Sequence, residues 1–211
     1  MPLIHRYIPE RYVVSFLKEG LRFSRCDSFV DLLEFRLAYC YFKGCDTWQG
    51  LRQCVENTFK NQKVNSTISG ASISCWTEGM GEWAWTVYGK GSGAIRISVE
   101  REDFARYVKG LAVPGVAGSV TYSFLHSGVR PQFLEPFNNL TNEDRDEYHL
   151  FFHKHGFYNY EAEYRIVLFQ QGPVTREFPD GLIRSVSLSP SGPPNEEVGS
   201  LLKSRFGVQL R

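Results

Sequence analysis

Tyr160-Glu161-Ala162-Glu163-Tyr164-Arg165-Ile166-Val167-Leu168-Phe169 is the stretch whose reading decides the fold of this 211-residue chain. Side chains alternate faces along a strand. A strand over this run sets Ala162, Tyr164, Ile166 and Leu168 on one face and Glu161, Glu163 and Arg165 on the other. The run is otherwise apolar, which places the strand inside a sheet rather than at its wet margin. Burying two neighbouring carboxylates is costly unless a cation, a ligand or a cleft receives them. Two readings follow: a working site, or a structural ion pair in which Arg165 neutralises the acids. The segment alone leaves both open.

Working outward, the length suits one domain spanning residues 1–211 with a substantial core. With 16 Phe, 11 Tyr and 4 Trp, rings should dominate the interior or a cleft. A net charge of +1 gives no sign of a nucleic-acid groove. Met1 to Arg6 has no apolar h-region, and no run is long enough to cross a bilayer. Cys26, Cys40, Cys45, Cys54 and Cys75 are an odd number without close pairing and read as reduced thiols of a cytoplasmic protein. Asn65-Ser66-Thr67 and Asn139-Leu140-Thr141 match glycosylation sequons, which such a protein would not use.

Strands are expected at Leu3 to Ile8 (stopped by Pro9), Leu21 to Arg25, Ala71 to Thr77, Ala94 to Val99, Ser119 to Phe124, Glu161 to Phe169 and Ile183 to Leu188. Helices are expected at Arg11 to Lys18 with Gly20 as its stop, from Asp27 or Ser28 to about Phe42, and at Trp48 to Gln62, Glu82 to Tyr88, Glu102 to Leu111, Glu143 to His155 and Glu196 to Phe206. Arg130 to Thr141 reads as a loop. There is no βαβ rhythm and no internal repeat, so the expected class is α+β with a mostly antiparallel or mixed sheet flanked by helices.

Several chemistries are weak. His149 and His153 fall four apart on the expected helix, but the residues between them lack the glutamate of a zinc protease, so no metal site is expected. Gly89-Lys90-Gly91-Ser92-Gly93 has neither P-loop nor dinucleotide spacing and reads as a turn. Arg101, Arg106 and Lys109 read as a solvated helix face. Trp76 and Trp83 read as core.

Seven segments, in this order, carry a resemblance: His5-Arg6-Tyr7, Leu21-Arg22-Phe23-Ser24, Phe29-Val30-Asp31-Leu32-Leu33-Glu34, Ser74-Cys75-Trp76-Thr77, Trp85-Thr86-Val87-Tyr88, Gly93-Ala94-Ile95-Arg96-Ile97, and Tyr160 to Arg165. Together they resemble a widespread bacterial domain family with Phe-Asn-Asp-Pro-Phe-Glu, Trp-x-x-Tyr and Tyr-Glu-x-Glu-aromatic-Arg motifs. Val30, Leu32 and Leu33 depart from the first of these. That family in turn is similar to ADP-ribosyltransferases.

The resemblance implies an ADP-ribosyltransferase-like split sheet and NAD as substrate. It makes Glu163 the catalytic carboxylate, with Glu161 orienting or deprotonating the acceptor. It assigns nucleotide contacts to Arg6 or His5, with Tyr7 beside them, bracing to Ser74 and Thr77, and an aromatic wall to Trp85 and Tyr88. The implied partner is a macromolecular acceptor, with water as the alternative, in a toxin, effector or phage-conflict protein that a second protein could neutralise. The chemistry is coherent: cleaving the nicotinamide–ribose bond builds positive charge, which a fixed carboxylate stabilises, and arginine matches a pyrophosphate bidentately. The alternative is a non-catalytic module that binds a nucleotide or a protein on the same fold. Each residue also has a packing role open to it: Arg6 in a surface ion pair, Trp85 and Tyr88 in the core, Ser74 and Thr77 satisfying local backbone groups.

Overall fold

Pro9, with φ −55° and no N–H, ends strand β1 (Leu3–Ile8) and stands directly before helix α1 (Glu10–Glu19). Glu10 in the first turn and Lys18 in the last turn of α1 match the helix dipole. Gly20, φ 104°, then turns the chain into β2 (Leu21–Arg25). The computed structural model describes residues 2–28, 33–45, 47–79, 81–123, 134–140 and 148–207. After a 3-10 turn at Cys26–Ser28 come α2 (Glu34–Phe42), α3 (Trp48–Lys60), α4 (Gln62–Ser69), β3 (Ser72–Thr77), α5 (Glu82–Val87), β4 (Ile95–Glu100) and α6 (Arg101–Lys109). The rest is β5 (Gly115–Ser119), β6 (Thr121–Ser123), β7 (Leu134–Phe137), β8 (His153–His155), β9 (Glu163–Leu168), β10 (Val174–Arg176), β11 (Ile183–Leu188) and α7 (Glu196–Phe206).

The chain divides into two compact units: Met1–Arg22 with Trp76–Gly110 and Thr175–Arg211, and Phe23–Cys75 with Leu111–Val174. In the first unit β1 lies antiparallel to β4 along its length, from Leu3 opposite Glu100 to Ile8 opposite Ile95. β11 pairs antiparallel with β4, and His5 opposite Thr77 joins β1 to the end of β3. Rings fill its interior: Trp76 packs on Phe104 at 4.4 Å and Phe16 on Phe178 at 5.9 Å, all four buried.

In the second unit β5 runs antiparallel to β9 and to β7, with Ala117 opposite Ile166 on one side and Glu135 on the other. Ser24 and Arg25 of β2 pair with Ile73 and Ser72 of β3. β6 and β8 form a short parallel pair. Cys26, Phe35, Ile73, Val116, Phe151 and Val167 lie in its main core, and Cys40, Tyr41 and Leu51 make a smaller one. The class is thus α+β with mostly antiparallel strand pairing.

The strands at Leu3–Ile8, Leu21–Arg25 and Ile183–Leu188 and the helix at Glu196–Phe206 fall where the residues place them. Other elements differ. The expected helix at Trp48 to Gln62 stops at Lys60 because Asn61, φ −80° and ψ 104°, leaves the helical region; its side chain then accepts from Val64 N–H at 3.2 Å and starts α4. The helix expected from Asp27 or Ser28 begins instead at Glu34, with residues 29–32 outside the described residues. No helix covers His149 to His155: a 3-10 turn at His149–Phe151 leads into β8. Leu150, Phe151 and Phe152 are all buried, which one face of an amphipathic helix cannot supply for three successive residues. The first part of that expected helix, residues 143–147, lies outside the described residues. The expected strand Ser119 to Phe124 is divided between β5 and β6, and its last residue lies outside the described residues. Within the expected loop Arg130 to Thr141 the described residues contain β7, where Pro136 opposes Val116. Proline is tolerated there if the missing N–H faces away from the neighbouring strand.

Gly20 supplies a test of this geometry. A Cβ there would stand 2.2 Å from the Arg176 carbonyl oxygen, on a backbone that L side chains rarely adopt. Gly20→Ala is therefore expected to lose on the order of 1–3 kcal/mol from backbone strain, with the collision adding to it. Gly181→Ala, where a Cβ meets nothing within 4 Å, is expected to leave stability unchanged or slightly raised. Urea unfolding of both variants checks the pair.

Candidate active site

β9 carries the decisive stretch, and all six of its residues are buried. Glu163 and Arg165 are two apart on it and share a face. Arg165 Nε donates to Glu163 Oε2 at 2.5 Å, and Nη1 donates to the Phe151 carbonyl at 2.7 Å. Nη2 donates to Glu34, the first residue of α2. The last residues of two separate sequence motifs, Phe29 to Glu34 and Tyr160 to Arg165, thus meet in one ion pair.

Glu161 is not on the strand. It ends a 3-10 turn at Gly156–Glu161, and Ala162 then takes a left-handed conformation, φ 42° and ψ 53°. That residue breaks the alternation expected from Glu161 onward, at a cost of roughly 1–2 kcal/mol for a residue with a Cβ. The two carboxylates converge nonetheless, because one cation takes both: Lys154 Nζ lies 2.5 Å from Glu161 Oε2 and 2.9 Å from Glu163 Oε1. Tyr122 closes the cluster, its hydroxyl accepting the Glu163 backbone N–H at 2.8 Å. The Lys154 ammonium also stands 5.0 Å from the Tyr158 ring centroid.

The cluster therefore runs Glu34, Arg165, Glu163, Lys154, Glu161, with alternating signs. Three carboxylates face two cations, and one bound proton makes the chain neutral. Its location follows from the surroundings. Burial pushes Glu161 up to about 7, helped by its hydrogen bond to Glu163 and only partly opposed by Lys154. Burial also works against ionising Glu163, but Arg165 and Lys154 overcome it and hold that carboxyl down at about 2. Lys154 keeps its proton despite burial, chiefly because of Glu163, and so does Arg165, because of Glu163 and Glu34.

The candidate residues divide between the units. Ser74, Glu161 and Glu163 belong to one; His5, Arg6, Tyr7, Thr77, Trp85 and Tyr88 belong to the other. Ser74 is fully buried on β3. His5 is buried, with Nδ1 2.8 Å from Ser98 Oγ, and burial with the nearby Arg96 lowers it to about 4, so it is neutral at pH 7. Arg6 is half-buried, lies 5.9 Å from the Trp76 ring centroid and donates to the Arg22 carbonyl at 3.4 Å. Tyr7 meets Trp85 edge-on at 4.9 Å. Thr77 Oγ1 accepts the Gly79 N–H at 3.0 Å, the local backbone role open to it from the start.

Trp85 and Tyr88 are half-buried, neither core nor open wall. Trp83, expected in the core, is half-buried as well: it stands over Gly81 and meets Tyr88 edge-on at 5.7 Å. Trp76 is core. The glycine turn after α5 packs on protein: Gly89 against Trp85, and Gly91 and Gly93 against the side chain of Glu10. Among the described residues no group of three or more His, Cys, Asp or Glu side chains is arranged to hold a metal ion, and no helix is long and apolar enough to cross a membrane.

Lys154 and Tyr122 are the members that sequence reasoning missed. Two acids beside a single arginine leave a carboxylate in surplus, which is a signal for a second cation. Nothing local points to Lys154, sixth before Tyr160, as that cation. Compared with family models, curated proteins and solved structures, the chain matches none.

Opposite pH dependences follow from the two glutamates. Glu161 is raised from 4.5 to about 7, so its contribution to stability is fully present below 4.5 and is lost as pH rises through 7. Glu163 is depressed, so its contribution is present above 4.5 and is lost as pH falls toward 2. Thermal melts across the interval 4.5 to 7 are expected to show Glu161→Gln gaining on the wild type as pH rises. Parallel curves would mean that Glu161 is not neutral in the fold.

Arg165 supplies a second expectation. Arg165→Met leaves Glu34 without its buried cation and Glu163 with Lys154 alone, a loss expected at about 3–5 kcal/mol. Denaturant unfolding measures it.

Proposed function

We propose that this chain cleaves the nicotinamide–ribose bond of NAD and passes ADP-ribose to a macromolecular acceptor, with water as the alternative acceptor, on an ADP-ribosyltransferase-like split sheet. The observation that carries the reading is a buried pair of carboxylates, Glu161 and Glu163, gathered on the single ammonium of Lys154. Two carboxyl groups held by one ammonium have been driven apart, Glu163 toward permanent ionisation and Glu161 toward a proton exchangeable near pH 7. An ionised Glu163 opposes the positive charge that builds on the ribose as nicotinamide departs. Glu161, once deprotonated, takes a proton from the acceptor nucleophile. The left-handed Ala162 serves the pair, because it lets consecutive turn and strand residues direct both carboxyls to Lys154. Lys154 must swing away for a ribose to approach Glu163.

One observation favours the non-catalytic alternative. Glu163 is 7 % exposed, and each of its oxygens is already taken, Oε1 by Lys154 and Oε2 by Arg165. If that arrangement persists with a nucleotide present, the ion chain is scaffold and the protein is a binding module.

Turnover decides between the two. Incubated with NAD, the wild type is expected to release nicotinamide at a rate that rises with pH through about 7, as Glu161 loses its proton. Glu163→Gln is expected to lose at least ~100-fold in rate, the scale of one electrostatic contact made in the transition state. Glu161→Gln is expected to flatten the pH profile. A raised melting temperature with NAD but no nicotinamide release supports the binding module. No nicotinamide release together with an unchanged melting temperature would exclude NAD as the ligand.

A further inference from the structure

The glutamate site uses none of the chain's thiols, yet three of its five cysteines meet at one place. Helix α2 closes with Gly44 at φ 73°; the Gly44 N–H donates to the Tyr41 carbonyl at 3.0 Å, and the Cys45 N–H donates to the Cys40 carbonyl at 3.2 Å. This is the Schellman pattern, whose paired bonds bring the residue after the glycine back onto the residue five before it. Here the two residues brought together are both cysteines. Cys45 and, from α3, Cys54 pack against the small core formed by Cys40, Tyr41 and Leu51. Cys40 is fully buried beside Tyr41 and Leu51, whereas Cys45 and Cys54 are half-buried. None of the cysteines is in a disulfide.

We infer that Cys40, Cys45 and Cys54 form a redox modification site, at which a small peroxide joins Cys40 to Cys45 or to Cys54. The chemistry assigns different parts to the three sulfurs. A half-buried thiol, Cys45 or Cys54, reacts first: its thiolate attacks one peroxide oxygen, the O–O bond breaks, and a sulfenic acid and water result. The Cys40 sulfur then displaces the hydroxyl group; an S–S bond forms, the S–O bond breaks, and the proton of Cys40 leaves in a second water. Two thiols are oxidised to one disulfide and one peroxide is reduced to two waters. Burial pushes the Cys40 thiol well up, so peroxide reacts first at a half-buried partner and Cys40 enters only through its place beside that partner. Cys45 and Cys54 already pack against the cluster that holds Cys40, so closure requires little backbone movement. Cys26 and Cys75, which lie within electrostatic reach of each other elsewhere in the same unit, serve as the internal control.

The test uses the full chain, one equivalent of hydrogen peroxide, alkylation of remaining thiols and peptide mass mapping. The expected result is loss of two of the five thiols, an intramolecular cross-link from Cys40 to Cys45 or Cys54, and recovery of all five with dithiothreitol. Cys40→Ser is expected to abolish that cross-link. Should Cys40→Ser not fold, the double variant Cys45→Ser, Cys54→Ser, altered only at half-buried positions, is expected to abolish it too. A cross-link of Cys26 to Cys75 in preference, intermolecular disulfides alone, oxidation confined to single sulfinic or sulfonic acids, or five unreacted thiols would overturn the inference.

Discussion

The second unit depends on one buried cation. Arg165 is 1 % exposed, and a guanidinium cannot shed its charge to escape a low-dielectric interior. Its donors must therefore be met where they point. Glu34 at the start of α2, the Phe151 carbonyl at the end of a 3-10 turn and Glu163 on its own strand meet them. Three segments far apart in sequence are held in register by a rigid planar group, and the apolar core containing Phe35, Phe151 and Val167 packs around the same segments. A hydrophobic replacement of the whole chain of charges could be as stable. What it would lose is the asymmetric field imposed on the glutamates.

That field follows from parity. Two cations face three carboxylates, Glu161 and Glu163 buried and Glu34 half-buried, and the surplus negative charge favours holding a proton where the cations are fewest. Glu163 lies between Arg165 and Lys154 and is held ionised; Glu161, at the end of the chain with Lys154 alone, absorbs the deficit. A carboxyl poised near neutrality beside one fixed as an anion is an arrangement suited to proton transfer at physiological pH. The same arrangement makes the contribution of Glu161 to stability fall as pH rises through 7.

Much of this was legible in the residues. Pro9 and Gly20 punctuate the first strand and helix, and α7 is bounded by Asn195, which caps it, and Gly207, which ends it. Glu163 and Arg165 are located by alternation alone, as is the burial of their strand. The missed parts share a cause: each depends on a partner remote in sequence or on one special backbone torsion. Asn61 both ends one helix and caps the next, so a continuous polar pattern hid two helices. Ala162 carries no mark of a left-handed residue, so Glu161 was placed on the strand. Lys154 lies within the run Glu143 to His155 that reads as helix, and its role exists only once β8 brings it to the two glutamates.

The most direct measurement is a carboxyl-carbon NMR titration of the native protein, with Glu161 and Glu163 assigned through their Gln variants. Glu161 is expected to titrate near 7 while Glu163 stays ionised down to about 2. If both glutamates titrate together near the ordinary 4.5, the ion chain does not divide their protonation, and the central claim fails.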